Sequence, residues 1–237
     1  MHTFRTGVIV SVALLVGVLA LAAPQTPSRI AARVNGEEIS MAELEQAAST
    51  TGIIFYLYQR YPRFAQLLVG SPEGKALLSA YRREVLEDII RWKIVLQEAR
   101  KRGITVPKEE LAARVDETLE GILKRNNITQ EELKRVLAQR GETLEDFRAR
   151  IASQVEERML VEAVREAVTA TASVSQKEVE AYYREHKDLF TDDQGNTRPL
   201  GEVQEKILSD LLEHKRNELW RKWLEEARAK AQVEIKI

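Results

Sequence analysis

Residues 75–103, KALLSAYRREVLEDIIRWKIVLQEARKRG, constrain this chain more than any other stretch. Leu78, Tyr81, Val85, Ile89, Trp92, Leu96 and Ala99 recur at alternating steps of three and four, which places them along one stripe of an α-helix. Leu86, Ile90 and Ile94 widen the stripe until the second half of the helix is apolar on most sides. A helix with so wide an apolar face has to be covered by several other elements. Arg100, Lys101 and Arg102 fall in the last turn, where the helix dipole favours cations, and Gly103 supplies a left-handed stop. The stretch therefore reads as the central helix of a mainly α fold.

Composition agrees with that fold class and removes others. The 237 residues are 44% hydrophobic and 31% charged, with only six prolines; such a chain can bury a core and is built for helices. The net charge of −1 comes without a basic stripe, which argues against nucleic acid as a partner. There are no cysteines, so disulfides, a thiol nucleophile, thiolate metal sites and a lipid-modified N-terminal Cys are all excluded.

The N-terminus reads as an address. Arg5 precedes an uncharged run from residue 6 to 26 whose apolar stretch covers residues 7–23, and Ala20-Leu21-Ala22 offers the small residues a signal peptidase prefers. We read residues 1–22 as a cleavable signal peptide and residues 23–29 as a linker. An uncleaved membrane anchor over residues 7–23 is the alternative, since that length approaches a bilayer span. Both place the working part outside the cytoplasmic membrane, in the periplasm or an equivalent compartment, with membrane contact through this segment alone.

Further along, Asn35-Gly36 between Val34 and Ile39 is a two-residue hairpin signal, because a type I′ turn needs positive φ at both positions. Ser40 with Glu43, Thr129 with Glu132 and Ser175 with Glu178 have capping-box spacing, and Thr143 with Asp146 is a weaker version. They predict helices starting after residues 40, 129, 143 and 175, and Pro107 opens another. Gly141 ends the helix after Thr129, and the helix after Ser175 is expected to run to about residue 189. Residues 191–198, TDDQGNTR, form a polar loop, and a last long helix starts at Pro199 or Leu200. The final residues alternate Val233, Ile235 and Ile237 with polar ones, which predicts a half-buried strand. Its one candidate partner is the hairpin near Val34, so the chain ends are expected to meet in a small sheet.

One segment does not fit a plain helical scaffold. Residues 53–69 hold Phe55, Tyr56, Tyr58, Tyr61 and Phe64, five of the chain's eleven Phe and Tyr residues within ten positions, and Pro62 interrupts the helix between them. Packing against the central helix is one account. An exposed aromatic surface that binds other polypeptides is the other, and both can hold on different faces. The candidate contact residues are Phe55, Tyr58, Tyr61, Phe64, Leu67 and Leu68, with Trp220 and Trp223 assigned to the core.

Catalytic chemistry is not legible. Of the three histidines, His2 lies in the expected signal peptide, and His186 and His214 fall on separate charged helices and read as solvated. No phosphate-binding glycine loop, HExxH pair or GxSxG elbow occurs. Carboxylate pairs such as Glu109-Glu110 and Glu131-Glu132 sit at helix starts, where they complement the dipole. No catalytic residue, cofactor or metal is therefore expected.

Together, VNGEEIS with its capped helix, LEDIIRWKIVLQEARKRGITVPKEEL, and ITQEELKRVLAQRGETLEDFRARIASQV resemble the N-terminal chaperone region of SurA/PrsA-type exported foldases. VSQKEVEAYYREHKDLF is similar to the helix that precedes the parvulin prolyl-isomerase domain of that family. The segment from residue 198 to 237 is similar to the one that returns after it. The resemblance implies a helical chaperone domain over residues 30–190, completed by residues 199–237 and related in shape to the client-binding part of trigger factor. In the family a parvulin domain stands between these segments; here only residues 191–198 do, and the isomerase residues have no positions to be carried onto.

The implied function is that of an ATP-independent holdase for unfolded exported or outer-membrane polypeptides, without enzyme activity. A scaffold or assembly subunit with one dedicated envelope partner, and a prolyl isomerase, are the alternatives. A homodimer that exchanges terminal strands is left open.

Overall fold

The computed structural model describes residues 29–192 and 194–237, so the expected signal peptide and nearly all of the linker lie outside the described residues. The described chain is mainly helical with one small sheet. Its elements are β1 (Ile30–Val34), β2 (Glu37–Ser40), α1 (Met41–Ala48), α2 (Thr50–Arg60), α3 (Pro62–Gly70), α4 (Pro72–Lys101), α5 (Lys108–Asn126), α6 (Gln130–Ala138), α7 (Leu144–Thr169), α8 (Gln176–Glu185), α9 (Leu200–Lys230) and β3 (Val233–Ile235).

Sequence-local rules set most of these boundaries. Asn35 and Gly36 have φ of 49° and 88°, the two positive values that a type I′ hairpin turn requires. Ser40, Thr129 and Ser175 each accept from the backbone N–H three residues on, and Glu43, Glu132 and Glu178 reach back to the cap N–H. Thr143 and Asp146 do the same at the start of α7. Gly103 closes α4 at φ 66°. Its N–H donates to Arg100 O and that of Ile104 to Ala99 O, so two orphan helix carbonyls are satisfied in a Schellman arrangement.

The sheet has the order β2-β1-β3, with β3 antiparallel to β1 in the register Ala32↔Ile235 and Val34↔Val233. The two ends of the described chain therefore meet, as the alternation near the C-terminus predicts. Asn35 holds the junction together. Its side chain accepts from Gln232 N–H (2.9 Å) and donates to Gln97 Oε1 (2.6 Å), while Gln97 Nε2 donates to Val34 O (3.0 Å). The strand is less buried than the alternation implies, because Ile235 and Ile237 stay exposed.

By contact density the chain divides into two compact units, and the division falls inside α4 after Val85 and inside α7 after Arg158. The first unit buries Ile39, Leu44, Ala48, Ala65, Leu68, Val115, Leu119, Leu133, Leu137, Phe147, Ile151 and Val155. The second packs Val95, Ala99 and Val164 with Ile104, Leu160, Trp220, Trp223 and Leu224, and separately Val179, Val203 and Ile207 with Tyr182, Tyr183, Phe190 and Leu211. Trp220 and Trp223 stack on each other at 5.0 Å, in keeping with a core role. Within the second unit Arg228 holds Glu87 with two hydrogen bonds of 3.0 Å.

Four expectations are corrected. The stripe that α4 buries is Leu86, Ile90, Ile94, Val95 and Ala99, while Tyr81 and Trp92 are exposed. Spacing identifies a helix, but where two neighbouring stripes are both apolar the packing partners choose the central one. Aromatics with a polar tip settle at its edge, and the Tyr81 hydroxyl donates to Ala48 O at 3.0 Å. The helix from Met41, which the sequence reads as running into Thr51-Gly52, stops instead at Ser49, which takes φ 47°. The helix after Ser175 ends at Glu185 and a 3-10 turn, Lys187–Phe190, follows. His186 is half-buried against Tyr182, with ring centroids 4.2 Å apart. After Phe190 the chain makes only a short turn: Thr191 bridges to Thr197, and Arg198 N–H donates to Phe190 O at 2.9 Å.

Candidate functional site

The aromatic segment forms α2 and α3, both in the first unit. Three local features place it. Ser49, in the left-handed region, lets the chain leave α1 and re-enter a helix at once. Tyr61 takes φ −140° and ψ 67° before Pro62, since a residue preceding proline is pushed out of the helical region, and this separates α2 from α3. Gly74, in the first turn of α4, passes so close to the end of α3 that an added Cβ would lie 2.2 Å from Leu68 O.

The anchoring is slight. Tyr81 holds the last carbonyl of α1, and Arg82 on α4 pairs with Glu45 on α1. Within α3 only Ala65 and Leu68 are buried; three residues apart, they share the inward face. No residue of α2 is buried. Helices with this much Ile, Leu, Phe and Tyr normally disappear into a core. Here Ile53, Phe55, Tyr56, Tyr58, Tyr61, Phe64 and Leu67 remain 40–66% exposed.

Five of the six residues expected to make contacts, Phe55, Tyr58, Tyr61, Phe64 and Leu67, are thus brought together on the surface. Leu68 is not among them: at 7% exposure it is one of the anchors beneath. Ile53 and Tyr56 join the exposed set without having been singled out. Tyr56 stands in the same aromatic run, so the signal was present, but the spacing alone could not say that α2 has no buried residue and only a half-buried face at Ile54 and Leu57.

The electrostatics of the segment are one-sided. Between Glu45 and Glu73 lie 27 residues without a carboxylate, and the charges among them are Arg60 and Arg63, both exposed. The surface can therefore remove apolar groups from water and offer two guanidinium groups to an acceptor. Proton transfer has no obvious agent here. Among the described residues no cluster of His, Asp and Glu is arranged to hold a metal ion.

Comparison with known proteins places this architecture. A family model for the SurA-like N-terminal domain matches residues 1–161. The chain is 26% identical over 173 residues to the foldase protein PrsA of Clostridium kluyveri, covering 71% of this chain and 50% of that protein. It is 25% identical over 161 residues to the foldase protein PrsA of Clostridium botulinum, covering 68% and 46%. The chain thus spans about half the length of the curated relatives it matches. A solved structure from work on the virulence factor PEB4 and the periplasmic protein Cj1289, described as structurally related SurA-like chaperones of Campylobacter jejuni, superposes with a TM-score of 0.54. It has 15% identity and covers 88% of this chain and 99% of that one, a likeness of fold. The helical module with its terminal three-stranded sheet and the family match over residues 1–161 together make this chain a member of the SurA-like N-terminal domain family.

Proposed function

We propose that the chain is an ATP-independent chaperone that holds unfolded polypeptides on the surface formed by α2 and α3. The observation that carries this reading is a folded helical pair whose seven large apolar side chains stay 40–66% exposed. Each half-exposed side chain leaves on the order of 1 kcal/mol of hydrophobic stabilisation unrealised. One contact is too weak to hold a client, while several together bind and still release without a nucleotide. The family supports the same role, and the names of the relatives supply the rest: foldase in the curated proteins, periplasmic and chaperone in the structural neighbour. The clients are exported or outer-membrane polypeptides, met outside the cytoplasm.

In this reading residues 30–190 and 199–237 serve one chaperone module, and the loop of residues 191–198 stands where relatives carry an isomerase domain. Prolyl-isomerase activity is not part of the proposed role.

The experiment is light scattering of a denatured envelope protein diluted into buffer with and without residues 23–237. Suppression near stoichiometric amounts is expected. Tyr58→Ser combined with Phe64→Ser should weaken it while the circular dichroism spectrum stays helical. A double variant as effective as wild type would rule out the α2–α3 surface. A folded wild type that suppresses nothing would refute the chaperone reading and favour a single dedicated partner.

A further inference from the structure

If the α2–α3 surface holds polypeptides, as the proposed chaperone role requires, the charges within it narrow its occupant. From Glu37 onward carboxylates are frequent, with all 37 Asp and Glu of the chain in that part, yet none falls between Glu45 and Glu73. Arg60 and Arg63 stand in the middle of that gap, on either side of the break at Tyr61 and Pro62. Neither is engaged in an ion pair with any described residue, whereas nearby Arg82 is paired with Glu45. Arg60 closes α2, where a cation complements the helix dipole. Arg63 does the opposite: it occupies the first turn of α3, where the dipole disfavours a cation, with no acidic residue or side-chain cap to offset it. Helix stability thus gives no account of Arg63.

We infer that Arg60 and Arg63 select the client: the segment held by α2 and α3 is an apolar, aromatic-containing stretch of unfolded polypeptide flanked by Asp or Glu. The forked guanidinium groups match carboxylates in a planar, bidentate way that a lysine does not. A flexible chain also suits the shape of the surface. At 3.6 residues per turn, Tyr58, Phe55, Tyr56 and Ile53 spread over about 220° of α2, the remaining face being that of the half-buried Ile54 and Leu57, and α3 sets off after a break. An interfacial membrane helix presents its apolar residues on one face, so a flat anionic bilayer could engage only part of this set, whereas a polypeptide can wrap it.

The test uses fluorescence anisotropy with short peptides that carry an uncharged dye, share one Phe/Tyr/Leu core, and differ only in their flanks: Asp/Glu, Ser/Asn or Lys. The wild-type protein should bind the acidic-flanked peptide roughly three- to tenfold more tightly than the Lys-flanked one at low ionic strength. The gap should shrink at physiological salt. Arg60→Glu with Arg63→Glu should invert the order, and because both side chains are exposed the fold should be unaffected by circular dichroism. Equal binding of all three peptides, or an order unchanged in the charge-reversed variant, would overturn the inference while leaving the chaperone reading intact. Binding of no peptide, together with no suppression of aggregation, would overturn both. Sedimentation with phosphatidylglycerol-containing vesicles, lost in the charge-reversed variant and unaccompanied by peptide discrimination, would assign the arginines to a membrane and overturn it as well.

Discussion

Gly74→Ala is the substitution on which the geometry and the usual rule disagree most sharply. In the first turn of a helix, replacing glycine by alanine reduces the freedom of the unfolded chain and stabilises by up to about 1 kcal/mol. At Gly74, however, the new methyl would lie 2.2 Å from Leu68 O and 2.6 Å from Leu67 O. Side-chain carbons do not approach closer than 3.0 Å, so α3 and α4 would have to separate by about 0.8 Å. Both obstacles are backbone atoms, which cannot swing aside. Overpacking of this kind costs roughly 1–3 kcal/mol, more where backbone must move. The steric term therefore wins, and a net loss of roughly 2 kcal/mol is expected. For a chain of this size that lowers Tm by about 4–8 °C. Gly52 supplies a matched control. It occupies the same third position of α2 that Gly74 occupies in α4, and nothing lies within 4 Å of its added Cβ, so Gly52→Ala should raise Tm slightly. The assay is thermal unfolding of both variants by circular dichroism, followed by the light-scattering assay, since the displaced α3 carries Phe64 and Leu67. A Gly74→Ala protein as stable as the Gly52→Ala protein would refute the argument.

The packing and the caps give two further expected outcomes. Ile90→Ala empties a fully buried site on α4 and should cost about 2–5 kcal/mol in urea unfolding, while Leu77→Ala on the same helix, at an exposed position, should stay within about 0.5 kcal/mol; equal effects would refute the assigned stripe. The Thr129 backbone N–H and hydroxyl hold Glu132 below the usual carboxylate range, and the hydroxyl and N–H of Thr143 do the same for Asp146. Lys215, followed by Ser175, brings Glu178 down to about 2. All three are depressed, so their contribution is complete above the unfolded values and is lost as pH falls through the folded ones. Stability should therefore be flat above about pH 5 and decline toward pH 2 by thermal unfolding, and Lys215→Met should raise the Glu178 pKa measured by NMR. A decline confined to the range above pH 6 would contradict this.

What the amino-acid sequence determined by itself is the part of the fold governed by interactions a few residues apart. Asn35-Gly36 can make little but a tight hairpin turn, Ser40, Thr129, Thr143 and Ser175 start helices through hydrogen bonds three residues long, and Gly103 stops one through its positive φ. Pro62 likewise parts α2 from α3. The aromatic run that makes the candidate surface could also be read directly. Which side chains of that run reach solvent was decided by tertiary structure alone, because burial depends on residues distant in the chain. Leu67 and Leu68 are adjacent and chemically identical, yet one stands exposed and the other anchors α3. On α4 the choice between the Tyr81–Trp92 stripe and the Leu86–Ile90–Ile94 stripe was settled in the same way, by what packs against each. Periodicity specifies which residues share a face; only the assembled neighbours specify whether that face meets protein or water.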